Sequence, residues 1–178
     1  MVTIKVPEGK PAFEWVNGRA LQKVSPKRRH SLAQGAFLVA LSSWAQSTGR
    51  GFAGPEWRFR VQPPGEARRP LVPDVAFLSY KRLPLPEMEM TEEPLIAPDA
   101  VVEVRSPGDR RADIEEKVRV YLAAGTQAVF LVDPRTRAVT ICDGEGRRQL
   151  GRNDVLRHRA LPGFSLMVKT LFELPRPK

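Results

Sequence analysis

Two acids sit where acids are costly. Glu103 interrupts the apolar run Ala100-Val101-Val102-Glu103-Val104, and Asp74 lies among Val72, Val75 and Phe77 in LVPDVAFLS. An ionised, unpaired carboxylate in an apolar interior costs several kcal/mol, so each needs a cation beside it or an outward-facing strand. Two carboxylates brought together also resist joint ionisation unless positive charge neutralises them. A hard divalent ion does that, and Mg²⁺ characteristically takes one or two carboxylates plus water and substrate phosphate. The competing reading pairs each acid with one of the many arginines as an ordinary buried ion pair.

A third residue bears on that choice. In DRRADIEEKVRVYLAAG, Ile114, Val118, Tyr121 and Leu122 form an apolar stripe at helical spacing. Lys117 falls at the edge of the stripe, from where its ammonium can reach back towards the strand before it. Glu116 falls on the opposite, solvent side. A pairing of Lys117 with Asp113 at i−4 needs no site at all.

The elements that must hold these groups are legible in outline. FEWVNGRALQKVSP alternates around Asn17-Gly18, the strongest short hairpin signal. The spacing of Leu32, Phe37, Leu38, Leu41 and Trp44 predicts a helix over about 31–48, capped by Ser31 and ended at Gly49 and Gly51. WRFRV and LVPDVAFLS read as strands, and residues 81–97, with three prolines and Glu87, Glu89, Glu92 and Glu93, read as a long loop. DAVVEVR follows as a strand in which Val101 and Glu103 share one face and Ala100, Val102 and Val104 the other. A second helix ends at Gly125, AVFLVD, AVTICD and RRQL form a meander, and LPGFSLMVKTLFEL packs a short strand or helix onto the body. That order gives an α/β (α+β) fold, a mixed β-sheet flanked by helices, in a single domain over 1–178.

Composition narrows the function. The net charge is +9, a balance that favours polyanionic partners, nucleic acid first. Lys27-Arg28-Arg29, Arg68-Arg69 and Arg110-Arg111 are candidate phosphate contacts, whereas the acidic 87–93 stretch belongs away from the substrate or on a lid. His30, in KRRHS, is either a contact to phosphate or to the metal site or, the reading favoured here, a half-exposed residue of a basic turn. The one cysteine, Cys142, excludes an internal disulfide and a cysteine-based zinc site. No stretch is apolar enough for a membrane span and the N-terminus lacks a signal-peptide apolar region, so a cytoplasmic location is expected.

The ordered set PD at 73–74, VVEVRSPGDRRADIEEKVRVYLAAG and VFLVDP resembles the PD-(D/E)xK superfamily of restriction-endonuclease-like nucleases, and more specifically its Uma-type endonuclease family. NG, SP and His30 ahead of a helix, and the late LPGFSL, extend the resemblance from about Glu14 to Glu173. It implies a restriction-endonuclease-like fold and metal-assisted hydrolysis of phosphodiester bonds. Asp74 and Glu103 match the metal-binding acids for Mg²⁺ or Mn²⁺, and Glu56 matches an additional acid. The superfamily's lysine position two residues after the glutamate holds Arg105, which is always charged and cannot act as a base. Lys117 matches members in which the lysine has moved to the following helix. DNA as partner and a homodimer are implied. Arg105 in place of lysine is the feature favouring an alternative, a catalytically inactive nucleic-acid-binding or regulatory protein that keeps the fold. A plain assembly protein with arginine–carboxylate pairs is the third reading.

Overall fold

In the computed structural model, which describes residues 2–174 and Pro177, Asn17 and Gly18 both adopt left-handed backbone, with φ of 48° and 73°. They reverse β1 (Phe13–Val16) into the antiparallel β2 (Arg19–Gln22), as a turn matching the strands' own twist requires. The long helix α1 (Arg28–Thr48) begins earlier than Ser31 predicts. Lys27 is the N-cap, without a side-chain cap, and Ser31 uses its backbone N–H on the Lys27 carbonyl instead. Gly49, at φ 62°, ends the helix in the left-handed conformation that favours glycine.

β3 (Gly51–Pro55) is a strand that the glycines conceal. A Cβ at Gly51 would lie 2.3 Å from the Leu78 carbonyl oxygen, so close packing demands glycine in a position that composition reads as a stop. β4 (Phe59–Val61) follows, and LVPDVAFLS divides into β5 (Arg69–Leu71) and β6 (Val75–Ser79) rather than forming one strand. Pro73 has no N–H for a ladder, and the Asp74 carbonyl turns aside to accept from Glu56 N–H and Gln34 Nε2. Asp74 therefore sits in a break at the head of β6. The 81–97 loop carries one short helix, α2 (Leu85–Glu89).

β7 (Ala100–Val104), α3 (Arg111–Ala123) and β8 (Ala128–Asp133) form a crossover joining the one parallel pair of a six-stranded sheet. β9 (Ala138–Asp143) and β10 (Gly146–Leu150) extend it by antiparallel pairing, giving the order β10-β9-β8-β7-β6-β3. The short pair β11 (Val155–Leu156) and β12 (Leu166–Met167), with a 3₁₀ turn over Val168–Leu171, packs beside α1.

The sheet is covered on both faces. Ala100, Val102 and Val104 join α1's Ala33, Phe37, Leu41 and Trp44 in one core. Phe37 lies tilted against Phe130 at 5.6 Å and Trp44 meets Phe77 edge-on at 5.0 Å. Val101 packs on the other side with Val118 and Tyr121 of α3. Glu103 follows Val101 by two, so period two aims it at α3. Asp113 on α3 does not pair with Lys117. It accepts from Asn17 Nδ2 at 2.8 Å and Arg19 Nη2 at 2.7 Å, pinning the β1–β2 hairpin across the helix.

Candidate active site

Lys117 is inside, not at an edge. Only 8% of it is exposed, and its Nζ lies 2.6 Å from Glu103 Oε2 and 3.0 Å from Glu14. The helical period explains the choice of partners: Asp113, Lys117 and Tyr121 stand one turn apart on one α3 face. Tyr121 donates its hydroxyl to Glu103 Oε1 at 3.4 Å. Glu14 arrives from β1, carried there by the pinned hairpin, and its other task is to accept the Val72 N–H at 2.8 Å. Glu116, placed on the solvent side by the helical wheel, turns instead to Arg69 and Arg119 and is largely covered.

Asp74 enters from the break ahead of β6. Its Oδ2 accepts the Val104 N–H at 2.7 Å, tying the acid to the end of the Glu103 strand. Its Oδ1 accepts from Lys23 Nζ at 2.7 Å, and Lys23 also donates to the Val72 carbonyl at 2.9 Å. His30 Nε2 approaches Oδ2 at 3.2 Å. These groups line one cleft of about 170 Å³, together with Glu56 and Arg105.

Charge in the cleft does not balance. Glu14, Asp74 and Glu103 face Lys23 and Lys117, leaving an excess of one negative charge when all are ionised. Burial, then Glu14 and Asp74, push the Glu103 carboxyl up to about 8 against the pull of Lys117 and Lys23. Lys117 is held above its ordinary value: burial lowers it, but Glu103, Glu14 and Asp74 outweigh that. Burial would raise Asp74, yet the hydrogen bond from His30 and the charge of Lys23 hold it well below the usual carboxylate range. Burial and the Glu103 charge together raise the Tyr121 phenol, so its proton stays available to Glu103.

A divalent cation suits this donor set. Among the described residues Glu103 Oε1 has the 3.4 Å Tyr121 contact alone, and burial with the neighbouring Glu14 and Asp74 raises the Glu103 carboxyl, a cost that a further cation would relieve. Asp74 already holds a cation, the Lys23 ammonium. Among the described residues no three His, Cys, Asp or Glu side chains converge into a ready-made cage, so the set fits an ion that keeps water and substrate oxygens as ligands, as Mg²⁺ does.

Of the residues singled out from sequence, Asp74, Glu103 and Lys117 meet in this cleft. Arg105 is at its rim, 41% exposed, with Nη1 3.4 Å from Asp133. Glu56 is at the mouth, 43% exposed and 3.7 Å from Lys23, with a left-handed φ of 48° uncommon outside glycine. His30 belongs to the site, not to an open turn. Glu14 and Lys23 escape sequence reading because Glu14 lies on one short hairpin strand and Lys23 directly after the other, each far along the chain from its partners. Their only signal is a charged residue in an alternating strand. Glu87, Glu89, Glu92 and Glu93 do not line the cleft; Glu93 binds Arg58 and Arg60. Arg68 and Arg69 are spent structurally, on the Arg60 and Leu95 carbonyls and on Glu66 and Glu116.

Residues 4–169 match the family Uma2, described as "Putative restriction endonuclease". The fold is similar to a crystal structure from Anabaena variabilis described as a "putative nuclease belonging to DUF820", with a TM-score of 0.82 and 26% identity over 94% of this chain and 93% of that one. Comparison with curated proteins finds no match.

Proposed function

The chain belongs to the Uma2 family of restriction-endonuclease-like proteins, and on that premise we propose that it is a metal-dependent endonuclease hydrolysing phosphodiester bonds in DNA. The observation that carries the reading is the meeting of Asp74, Glu103 and Lys117 in one buried, net negative cleft. Asp74 and Glu103 would hold Mg²⁺ or Mn²⁺, which supplies Lewis-acid polarisation of the phosphate and acidifies water for attack. Lys117, permanently charged between two acids, orients the Glu103 carboxylate and offsets negative charge developing on the phosphate. Tyr121 fixes the other Glu103 oxygen, and Glu14 keeps Lys117 in place when Glu103 turns to a ligand. Lys23 holds Asp74 ionised until a stronger cation takes it over. A homodimer completes the proposal, because one cleft cuts one strand at a time.

Supercoiled plasmid incubated with Mg²⁺ or Mn²⁺ tests this. Nicking that needs the metal and is lost in Asp74→Asn is the expected result; its absence would sink the enzyme reading. One observation favours a second reading, an inactive nucleic-acid-binding relative: both Asp74 oxygens are engaged by Lys23, Val104 N–H and His30. That reading predicts binding without nicking in either metal.

Arg105 should matter little to the chemistry. Its guanidinium faces Asp133 at the rim, outside the Lys117 cluster. Arg105→Ala is expected to lower single-turnover cleavage by well under the ~10²-fold typical of a lost proton-transfer group. A larger loss at saturating substrate would return Arg105 to the centre of the mechanism.

A further inference from the structure

Four exposed arginines without an acidic partner among the described residues, Arg28, Arg29, Arg135 and Arg137, lie beside the cleft. Arg28 and Arg29 of α1, with Lys27 at its N-cap, are exposed and make no ion pair or side-chain hydrogen bond among the described residues. Arg135 and Arg137, in the turn between β8 and β9, are equally exposed and equally unpaired. A hollow of about 620 Å³ lies between the two groups. It shares Val24, His30, Arg105 and Ser106 with the cleft, and shares Arg28, Arg29, Pro134 and Arg135 with a further hollow reaching Arg137. The track is continuous from the acids outward.

Its acids are occupied. Asp133 accepts the backbone N–H groups of Arg135 and Thr136 and pairs with Arg105, and Asp109 accepts the Ser106 N–H. The basic rim thus keeps its charge. A second observation points the same way. The first turn of α1 contains no acid, and Lys27, Arg28 and Arg29 crowd the positive end of a 21-residue helix. Cations there oppose the helix dipole and lower stability. Such a local violation is understandable where an external anion sits against the helix end.

We propose that this groove, from the N-terminus of α1 to the β8–β9 turn, binds the phosphate backbone of duplex nucleic acid and leads one strand into the cleft. The proposal deepens the nuclease reading by naming the substrate form and its path. Single strands are held largely by bases stacking on aromatic side chains. The lining of the groove contains no Phe, Tyr or Trp; Phe172, in the farther hollow, packs against the core. Contacts to phosphate alone also imply weak sequence discrimination along the groove.

The test is binding in EDTA, where no cleavage confounds it. Fluorescein-labelled 30-mer duplex and the same single strand are titrated by anisotropy at several salt concentrations. Combined Arg28→Gln, Arg29→Gln and Arg135→Gln is expected to weaken duplex binding at least ~10-fold. It should also flatten the log–log salt dependence by about 3, at ~0.9 for each lost phosphate contact. Lys81→Gln, an exposed lysine away from the groove, should change neither. Melting of the triple variant should occur at or above the wild-type temperature, since it unloads the α1 terminus; lost binding then reflects lost contacts and not misfolding. Unchanged duplex affinity in the triple variant overturns the groove, and single strands binding as tightly as duplex overturn the substrate form. Absent plasmid nicking with groove-dependent binding intact would remove the nuclease reading and leave this one standing.

Discussion

Lys117→Met is expected to destabilise the metal-free protein by about 3–5 kcal/mol and to abolish cleavage, the first effect being what a buried charge left without its partner costs. Methionine fills similar volume, so the loss is electrostatic and not a cavity. Its removal leaves Glu103 and Glu14 facing each other with no ammonium between them, 2.6 and 3.0 Å from where it stood. Lys23 cannot take over, being held by Asp74 and the Val72 carbonyl. The pH dependence identifies the cause. Glu103, raised to about 8 even with Lys117 present, is favourable to folding when protonated. Its contribution is fully present below its unfolded value near 4.5 and is lost as pH rises through about 8. Without Lys117, whose charge opposes the rise, Glu103 moves further in that direction. The deficit of the variant, measured by urea unfolding in EDTA, should therefore be large at pH 8 and shrink towards pH 5. A deficit independent of pH would mean that lost packing, not stranded charge, is responsible. A variant as stable as wild type would show that Lys117 holds nothing together.

How this site could be read from sequence depends on where its members lie. Glu103 and Lys117 were visible because a strand and the helix after it preserve their own periods. Period two aims Glu103 away from Val102, and period 3.6 stacks Lys117 between Asp113 and Tyr121. Asp74 was visible as an acid in an apolar setting, though the strand assigned to it breaks at Pro73. Glu14 and Lys23 were not visible, because what buries them is the docking of a hairpin through Asn17, Arg19 and Asp113, a contact spanning about half the chain. Nothing local to FEWV distinguishes Glu14 from a solvated strand acid. β3 was hidden for a related reason: Gly51 answers to the Leu78 backbone across the sheet, and a tertiary demand overrode local propensity. The wheel misplaced Glu116 as solvent-facing because Arg69 and Glu66, which cover that side, arrive from elsewhere.

Glu103→Gln should separate stability from activity in the opposite sense to Lys117→Met. Glutamine keeps the shape of the side chain, an oxygen for the Lys117 ammonium and a group within reach of the Tyr121 hydroxyl. It removes the excess negative charge, leaving Glu14 and Asp74 against Lys23 and Lys117. At pH 8 and without metal the variant is expected to equal or exceed wild type by about 1 kcal/mol, a rise of ~2–4 °C in melting temperature for a chain of this size. The advantage should fade towards pH 5, where wild-type Glu103 carries its own proton. Cleavage should vanish all the same, since a neutral amide is a poor ligand for a hard divalent ion. Metal linkage closes the argument. Mg²⁺ or Mn²⁺ at ~100 times its dissociation constant should stabilise wild type by about 2.7 kcal/mol, and the same addition should shift the melting of Glu103→Gln far less. A variant that melts well below wild type in EDTA at pH 8 would refute this: Glu103 would then be ionised and structurally paired, and the cleft would have no charge left for a metal to satisfy.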